Sequence, residues 1–129
     1  MKNILLIITL FISWNAFAVE KIWYCSPDAA AGLAYKNNKY EMQRFEVGRA
    51  TIKQNGNMLT FPKGHPALPY PPAKCRNPSH KVIVCSSIGD FILNLESGHA
   101  TSSQYIGRTI GDGEYKADMF VASWNCESF

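Results

Sequence analysis

The alternation of apolar and polar residues is typical of short β-strands along most of this chain. The clearest signal comes from three strand-like runs that follow one another at residues 82–85, 90–95 and 99–106. Phe91, Leu93 and Leu95 recur at a spacing of two, which places them on one face of a strand. Gly89 and Gly98 stand in the two gaps, where a tight turn requires positive φ. These runs predict an antiparallel meander.

Shorter strands are predicted on either side of this meander. The first strand is residues 19–25, the hairpin strands are 33–35 with 40–47 and 50–54 with 58–61, and the closing strand is 119–126. Asn37-Asn38 and Asn55-Gly56 supply the residues that hairpin turns favour. A short helix is the alternative for residues 40–47, because Glu41 is followed by other good helix formers.

Prolines are concentrated in one segment. Six of the seven lie between Pro62 and Pro78. Because proline provides no N–H for a β-ladder, we expect residues 62–78 to form a stiff, Pro-rich surface loop outside the sheet.

The N-terminus has the pattern of a secretory signal peptide. Lys2 precedes an apolar run at residues 4–12, and Ala16-Phe17-Ala18 is a small-x-small cleavage site. The apolar run is shorter than the roughly 20 residues that span a bilayer, so no membrane span is expected. We expect cleavage after Ala18, a single β domain at residues 19–129, and a periplasmic or secreted location.

All four cysteines lie beyond this cleavage site, and an even number in an exported chain indicates two disulfides. Three pairings are possible. We favour Cys75–Cys85, which closes a local loop beside the meander, and Cys25–Cys126, which ties the first strand to the last. Trp23 and Trp124 each precede a cysteine by two residues, so the strands that contain Cys25 and Cys126 would also pack an aromatic pair beside the bridge. A zinc site would need close CxxC-type pairs, which are absent, and we predict neither a metal nor a cofactor.

About eight short strands, spaced roughly 8 to 12 residues apart and without a long helix, indicate an all-β barrel or sandwich. Because hairpin follows hairpin, each strand can pair with the next, and a bridge between the first and last strands would close the sheet. We predict a small, disulfide-stapled antiparallel up-and-down barrel, lipocalin-like or avidin-like. A two-sheet β-sandwich is the alternative.

Several positions resemble those of a group of small exported bacterial proteins of unknown function. The positions that carry the resemblance are Tyr24, Cys25, Ala31, Gly32, Tyr35, Phe91, Asn94, Gly98, Tyr105, Gly107 and Cys126. They span most of the mature chain, and the resemblance implies an exported domain with a lipocalin-like barrel pattern. Ser97-Gly98 followed by Tyr105 is also similar to periplasmic lysozyme inhibitors. The chain lacks their Phe-Trp-x-Lys-like run, so this similarity implies no inhibitory residues.

Charge excludes two classes of partner. The mature chain has a net charge of about +2 with neutral histidines, and its basic residues are scattered among acidic ones. Nucleic-acid binding would require a basic stripe, and binding to a membrane surface would require a basic amphipathic helix. We therefore predict no nucleic-acid partner, and we expect a monomer.

The sequence contains no catalytic motif of the GxSxG, HExxH or paired-carboxylate type. Its histidines and aspartates are His65, His80, His99, Asp28, Asp90, Asp112 and Asp118. A hydrolase would have to assemble from these scattered residues, and we keep a periplasmic hydrolase as an alternative function.

Aromatic residues give the candidate binding site. Trp23, Tyr35, Tyr105 and Trp124 could line an apolar ligand pocket, although core packing also explains them. We expect an exported binding module of the bacterial envelope that contacts either a protein partner through its loops or a small apolar ligand at the barrel mouth. A purely structural secreted domain is a further alternative.

Overall fold

The computed structural model describes residues 19–104 and 119–129, and these residues form an antiparallel β-barrel. The predicted signal peptide at residues 1–18 lies outside the described residues. So do Tyr105, Asp112, Asp118 and the last two residues of the predicted strand at 99–106.

Nine strands make up the described part of the chain, which contains no helix. They are β1 (Lys21–Lys36), β2 (Lys39–Arg44), β3 (Ala50–Asn55), β4 (Met58–Thr60), β5 (Lys74–Ser79), β6 (Val82–Ser87), β7 (Gly89–Asn94), β8 (His99–Gln104) and β9 (Met119–Ser128). The helical alternative for residues 40–47 is thus wrong, because β2 pairs with β1 in an unbroken register.

The strands follow the order β4-β3-β1-β9-β8-β7-β6-β5, and β9 returns to pair with β1. β2 and β3 lie one after the other along the same edge of β1, opposite residues 31–36 and 21–25. Together they fill one position, so the barrel has eight strand positions. β4 and β5 adjoin without a backbone ladder, which leaves the barrel nearly closed. The up-and-down barrel is confirmed, and the sandwich alternative is not the fold.

β1 is much longer than the first strand predicted from the sequence. It continues past Cys25 for 11 residues because a register shift between Pro27 and Ala29 accommodates the proline as an irregularity within the β1–β9 ladder. Beyond the shift, Ala30 and Ala34 face the interior, while Ala31 and Leu33 face outward.

Two predicted turns are confirmed by their backbone geometry. Asn37 and Asn38 have φ values of 47° and 63°, as a two-residue hairpin turn of this type requires. Gly98 has φ 71°, and a Cβ atom there would collide with the carbonyl oxygen of Cys126. Glycine is therefore required at this turn both by its conformation and by the close approach of β9.

Both predicted disulfides are present. Cys25 lies directly opposite Cys126 in the β1–β9 ladder, and Cys75 lies opposite Cys85 in the β5–β6 ladder. The predicted tryptophan pair does not form, because antiparallel pairing places Trp23 opposite Ser128 and Trp124 opposite Pro27. The Cys25–Cys126 bridge therefore lies between the two indoles along the direction of the strands.

The proline segment differs from the expected surface loop. Residues 74–78 belong to β5, where Pro78 is accommodated because the β5–β6 register shifts between Arg76 and Ser79. Earlier in the segment, Ala67, Leu68 and Pro69 are fully buried. The chain therefore folds back over one end of the barrel and contributes to its core.

Candidate functional site

Trp23, the first candidate ligand-contacting residue, is buried in the barrel core, with 2% of its surface exposed. Its indole Nε1 donates a hydrogen bond to Oε1 of Gln54 over 2.8 Å, and Nζ of Lys21 lies 4.3 Å from the ring centroid. The indole N–H thus has a hydrogen-bond acceptor on the neighbouring strand β3, as expected for a core tryptophan.

Trp124 is fully buried and faces the same interior. Its Nε1 donates to Oγ of Ser102 over 2.9 Å, and the His65 ring lies 5.7 Å away, centroid to centroid. Aromatic contacts between Phe61 and Phe91 and between Phe45 and Phe120 fill neighbouring space. These side chains pack against one another at the distances of a close-packed core.

Tyr35 is on the opposite face of β1 from the buried Ala34, and its ring meets that of Tyr40 edge to face at 5.0 Å. Tyr105 lies outside the described residues. The structure therefore places Trp23 and Trp124 inside the barrel and Tyr35 outside it, and these three do not line a common pocket.

The proline segment fills one barrel end. Nε2 of Gln104 donates to the Leu68 carbonyl oxygen over 2.9 Å, which holds the buried leucine in place. Nδ1 of His65 accepts a 3.3 Å hydrogen bond from the Ala67 N–H, so Nε2 carries the proton and donates to the Gly48 carbonyl oxygen at 3.0 Å. His65 thus joins this segment to the connection between β2 and β3.

The scattered histidines and aspartates do not assemble in the described part of the chain. Its hydrogen bonds and ion pairs include none between a histidine and a carboxylate, and Oδ1 of Asp28 instead accepts from Asn125 at 2.6 Å. No group of three or more histidine, cysteine or acidic side chains that could hold a metal occurs among the described residues.

An exposed and partly apolar surface lies on the outside of the barrel and crosses strands β2, β1, β9, β8 and β7. We call it the outer apolar face and define it by Ala29, Ala31, Leu33, Met42, Ile92, Met119 and Val121. Cross-strand register brings its members together, because Leu33 pairs with Met42 on one side and Met119 on the other. Ala31 pairs with Val121 in the next outward-facing row.

Three side chains of this face are strongly exposed. Met42 is 91% exposed, Val121 62% and Ile92 43%, although all three are large and apolar. A shallow groove of about 500 Å³ crosses the face between Ala29 and Ile92, and a second of about 470 Å³ lies beside Leu33 and Met42. Contiguous exposed apolar side chains with a polar rim are typical of interaction sites.

Charged residues stand at the borders of the outer apolar face. Lys36, Lys39 and Arg44 lie along the β1–β2 hairpin, and Asp90 marks the opposite end of the larger groove. Nζ of Lys39 lies 3.0 Å from a carboxylate oxygen of Glu41, whereas Arg44 takes part in no ion pair within the described residues. Arg44 is therefore the basic residue of this hairpin that shares a side with Met42, because Lys36 and Lys39 lie on the side of the buried Ala34.

This face was not predicted from the sequence. Its signal was the loss of alternation in residues 119–122, where Met119 and Val121 are as apolar as the inward-facing Phe120 and Ala122. A strand that is apolar on both faces either lies between two layers of the protein or exposes one of its apolar faces to solvent.

No family model matches this chain, and neither a search of curated proteins nor a search of solved structures found a match. The two disulfides indicate an oxidising, extracytoplasmic environment. In the part of the chain that the structure describes, no helix has the length and apolarity needed to cross a membrane.

Proposed function

We propose that this protein is an exported binding module of the bacterial envelope that contacts a protein partner through its outer apolar face. The observation that carries the proposal is the exposure of Met42, Val121 and Ile92 on the same side of the barrel, where Thr101 and Ser103 of β8 lie between Val121 and Ile92. Leaving such side chains in water forgoes about 25 cal/mol for every Å² of apolar area that burial would remove. A partner that covers the face recovers this free energy.

The composition of the face supports a protein partner. Its part on β2, β1 and β9 carries methionine, leucine and valine side chains, hydroxyl residues of β8 and β9 separate these from Ile92, and its border carries Arg44 and Asp90. Protein interfaces have this arrangement of an apolar centre and a polar rim, and methionine is enriched in them. Unbranched methionine side chains at positions 42 and 119 also adapt to the shape of a partner.

A small ligand at the barrel mouth is less favoured by the packing. Leu68 and Pro69 are buried at the end of the barrel that the proline segment covers, and Trp124 and Phe91 are fully buried within. An enclosed ligand would have to displace core side chains. The outer face, by contrast, is available without rearrangement.

Export is proposed on two grounds. The disulfides Cys25–Cys126 and Cys75–Cys85 persist in an oxidising compartment, and the N-terminal sequence has the pattern of a signal peptide that ends at Ala18.

Site-specific photocrosslinking in cells that export the full chain tests the proposal. A benzophenone amino acid replaces Met42 or Val121 in two separate variants, and Thr60 in a matched control. Thr60 is exposed on β4, three strand positions away from β9. We expect positions 42 and 121 to yield the same discrete protein adduct and position 60 to yield none.

Competition makes the assay specific. Excess purified wild-type protein should suppress the adduct, whereas excess Val121→Asp protein should not. Equal adducts from all three positions, or no adduct from positions 42 and 121, would contradict the proposed function.

A further inference from the structure

A basic hollow lies between two connecting segments near the start of β3. Residues 48–51 form one side of it, and residues 62–66 of the proline segment form the other. Nε2 of His65 donates to the Gly48 carbonyl oxygen over 3.0 Å and thereby joins the two sides. The hollow has a volume of about 440 Å³, and Arg49 and Lys63 both line it. Two cations from separate parts of the chain thus stand at one site.

Neither cation is neutralised by the described part of the chain. The ion pairs in that part use other lysines, and Arg49 and Lys63 form no ion pair or side-chain hydrogen bond there. Glu46 precedes Arg49 by three residues but does not line the hollow. An unpaired guanidinium beside an ammonium favours an anionic ligand, and phosphate oxygens match the forked donors of an arginine.

The backbone of the hollow is open to such a ligand. A Cβ atom at Gly48 or at Gly64 would meet nothing within 4 Å, and Gly64 has φ 75°. Within the described residues, the N–H of Gly64 donates to no acceptor. A ligand oxygen can therefore approach the main chain here, as phosphate oxygens do at glycine-containing turns.

A second hollow of about 220 Å³ adjoins the basic one, because residues 49–51 line both. Its other side includes Ser26 and Tyr24, and Tyr24 is 50% exposed. An edge-to-face contact with Phe129, 5.4 Å between centroids, orients the Tyr24 ring. A half-open aromatic ring with the hydroxyls of Ser26 and Thr51 beside it fits the C–H face and the hydroxyl groups of a sugar.

We propose that the two hollows together bind a phosphorylated sugar. The phosphate group lies between Arg49 and Lys63, and the sugar ring lies over Tyr24. Arg49 lines both hollows, so it contacts the ligand where the phosphate joins the sugar. The site shares no residue with the outer apolar face, and this inference does not rest on the proposed function.

Amide NMR titrations of the full mature protein with glucose 1-phosphate, inorganic phosphate and glucose test the site. Glucose 1-phosphate should shift the amide signals of Arg49, Thr51 and Gly64. It should bind about three- to tenfold more tightly than inorganic phosphate, because only the sugar covers the Tyr24 ring. Glucose should shift none of these signals at the same concentrations. Absence of shifts with glucose 1-phosphate, or equal affinity for it and for either of the other ligands, would overturn the proposal.

Matched variants separate the two halves of the site. Arg49→Gln and Lys63→Gln should each weaken glucose 1-phosphate and inorganic phosphate by about three- to tenfold, as expected for exposed charges. Tyr24→Ala should weaken glucose 1-phosphate alone. Lys53→Gln is the control, because Lys53 is also exposed on β3 but is ion-paired with Glu20. An equal loss in Lys53→Gln would mean that net charge attracts the anion, and it would contradict the site.

Vesicles that carry lipid A, whose headgroup is a phosphorylated disaccharide, distinguish two sources of this chemistry. Cosedimentation that excess glucose 1-phosphate abolishes would assign the lipid headgroup to the site. Binding of glucose 1-phosphate without cosedimentation would assign a free sugar phosphate. Cosedimentation that Arg49→Gln and Lys63→Gln both leave unchanged would contradict the proposal.

Discussion

The backbone N–H of Leu59 on β4 donates to Sγ of Cys75 on β5 over 3.4 Å, at the junction where these neighbouring strands share no backbone ladder. The sulfur belongs to the Cys75–Cys85 disulfide, so the bridge serves two purposes. It clamps the β5–β6 hairpin, and it provides the acceptor that connects the two ends of the sheet.

The two disulfides should therefore differ in what their removal changes. Replacing Cys25 and Cys126 by alanine should lower the free energy of unfolding more, because this bridge joins residues 101 apart. The chain-entropy estimate is about 4.7 kcal/mol for a loop of that size and about 3 kcal/mol or a little less for the shorter loop of Cys75–Cys85. Denaturant midpoints of the two double variants check the order, and a larger loss from removing Cys75 and Cys85 would contradict it.

Removing Cys75 and Cys85 should instead open the junction locally. We expect faster amide exchange at Leu59 and along β4, with little change in the β1–β9 ladder. Exchange that accelerates equally over the whole barrel would show that the junction does not depend on the sulfur.

Gly98 and Gly64 allow a matched test of close packing. Both have left-handed backbones, with φ 71° and 75°, but a Cβ at Gly98 would collide with Cys126 whereas one at Gly64 meets nothing within 4 Å. Gly64→Ala should cost about 1–2 kcal/mol from conformation alone, and Gly98→Ala about 3 kcal/mol or more. Equal losses in denaturant unfolding would mean that β9 shifts easily away from the turn.

Trp124 and Ser102 should be energetically coupled. Ser102→Ala leaves the buried indole N–H without its acceptor, which should cost about 1–3 kcal/mol. The double variant Trp124→Phe with Ser102→Ala should lose less than the sum of the single variants. The same double-mutant cycle at Trp23 and Gln54 is the control. We expect a smaller coupling energy there, because Gln54 is partly exposed and water can replace its side chain as the hydrogen-bond acceptor of the Trp23 indole.

His65 should hold the proline segment against the barrel. His65→Ala removes the acceptor of the Ala67 N–H and the donor to Gly48, so the Ala67 amide should exchange faster and the fluorescence of the neighbouring Trp124 should change. His80→Ala, at an exposed turn, is the control. Unchanged exchange at Ala67 would show that Leu68 alone anchors the segment.

Local features were the most predictable part of the fold. Asn37-Asn38 and Gly98 predicted their turns because positive φ restricts which residues can stand there. The pairing of Cys25 with Cys126 followed from the position of each cysteine in the first or last strand.

Features that depend on register or on distant contacts were not predictable. An equal spacing of Trp23 and Trp124 before their cysteines would align the indoles only in parallel strands, and β1 and β9 are antiparallel. The burial of Leu68 depends on where the proline segment meets the barrel end, which no local pattern encodes. Among the candidate ligand-contacting residues, Trp23 and Trp124 lie in the core, since aromatic composition does not distinguish a filled barrel from a hollow one.

The most direct test of the binding proposal is the affinity of the crosslinked partner for two charge variants, measured by calorimetry with purified proteins. Val121→Asp places a carboxylate in the outer apolar face, and Thr60→Asp places one at an exposed position on β4. The proposal predicts a loss of about tenfold or more for Val121→Asp, because a charge would be buried at the interface, and wild-type affinity for Thr60→Asp. Wild-type affinity for Val121→Asp, or an equal loss in both variants, would contradict it.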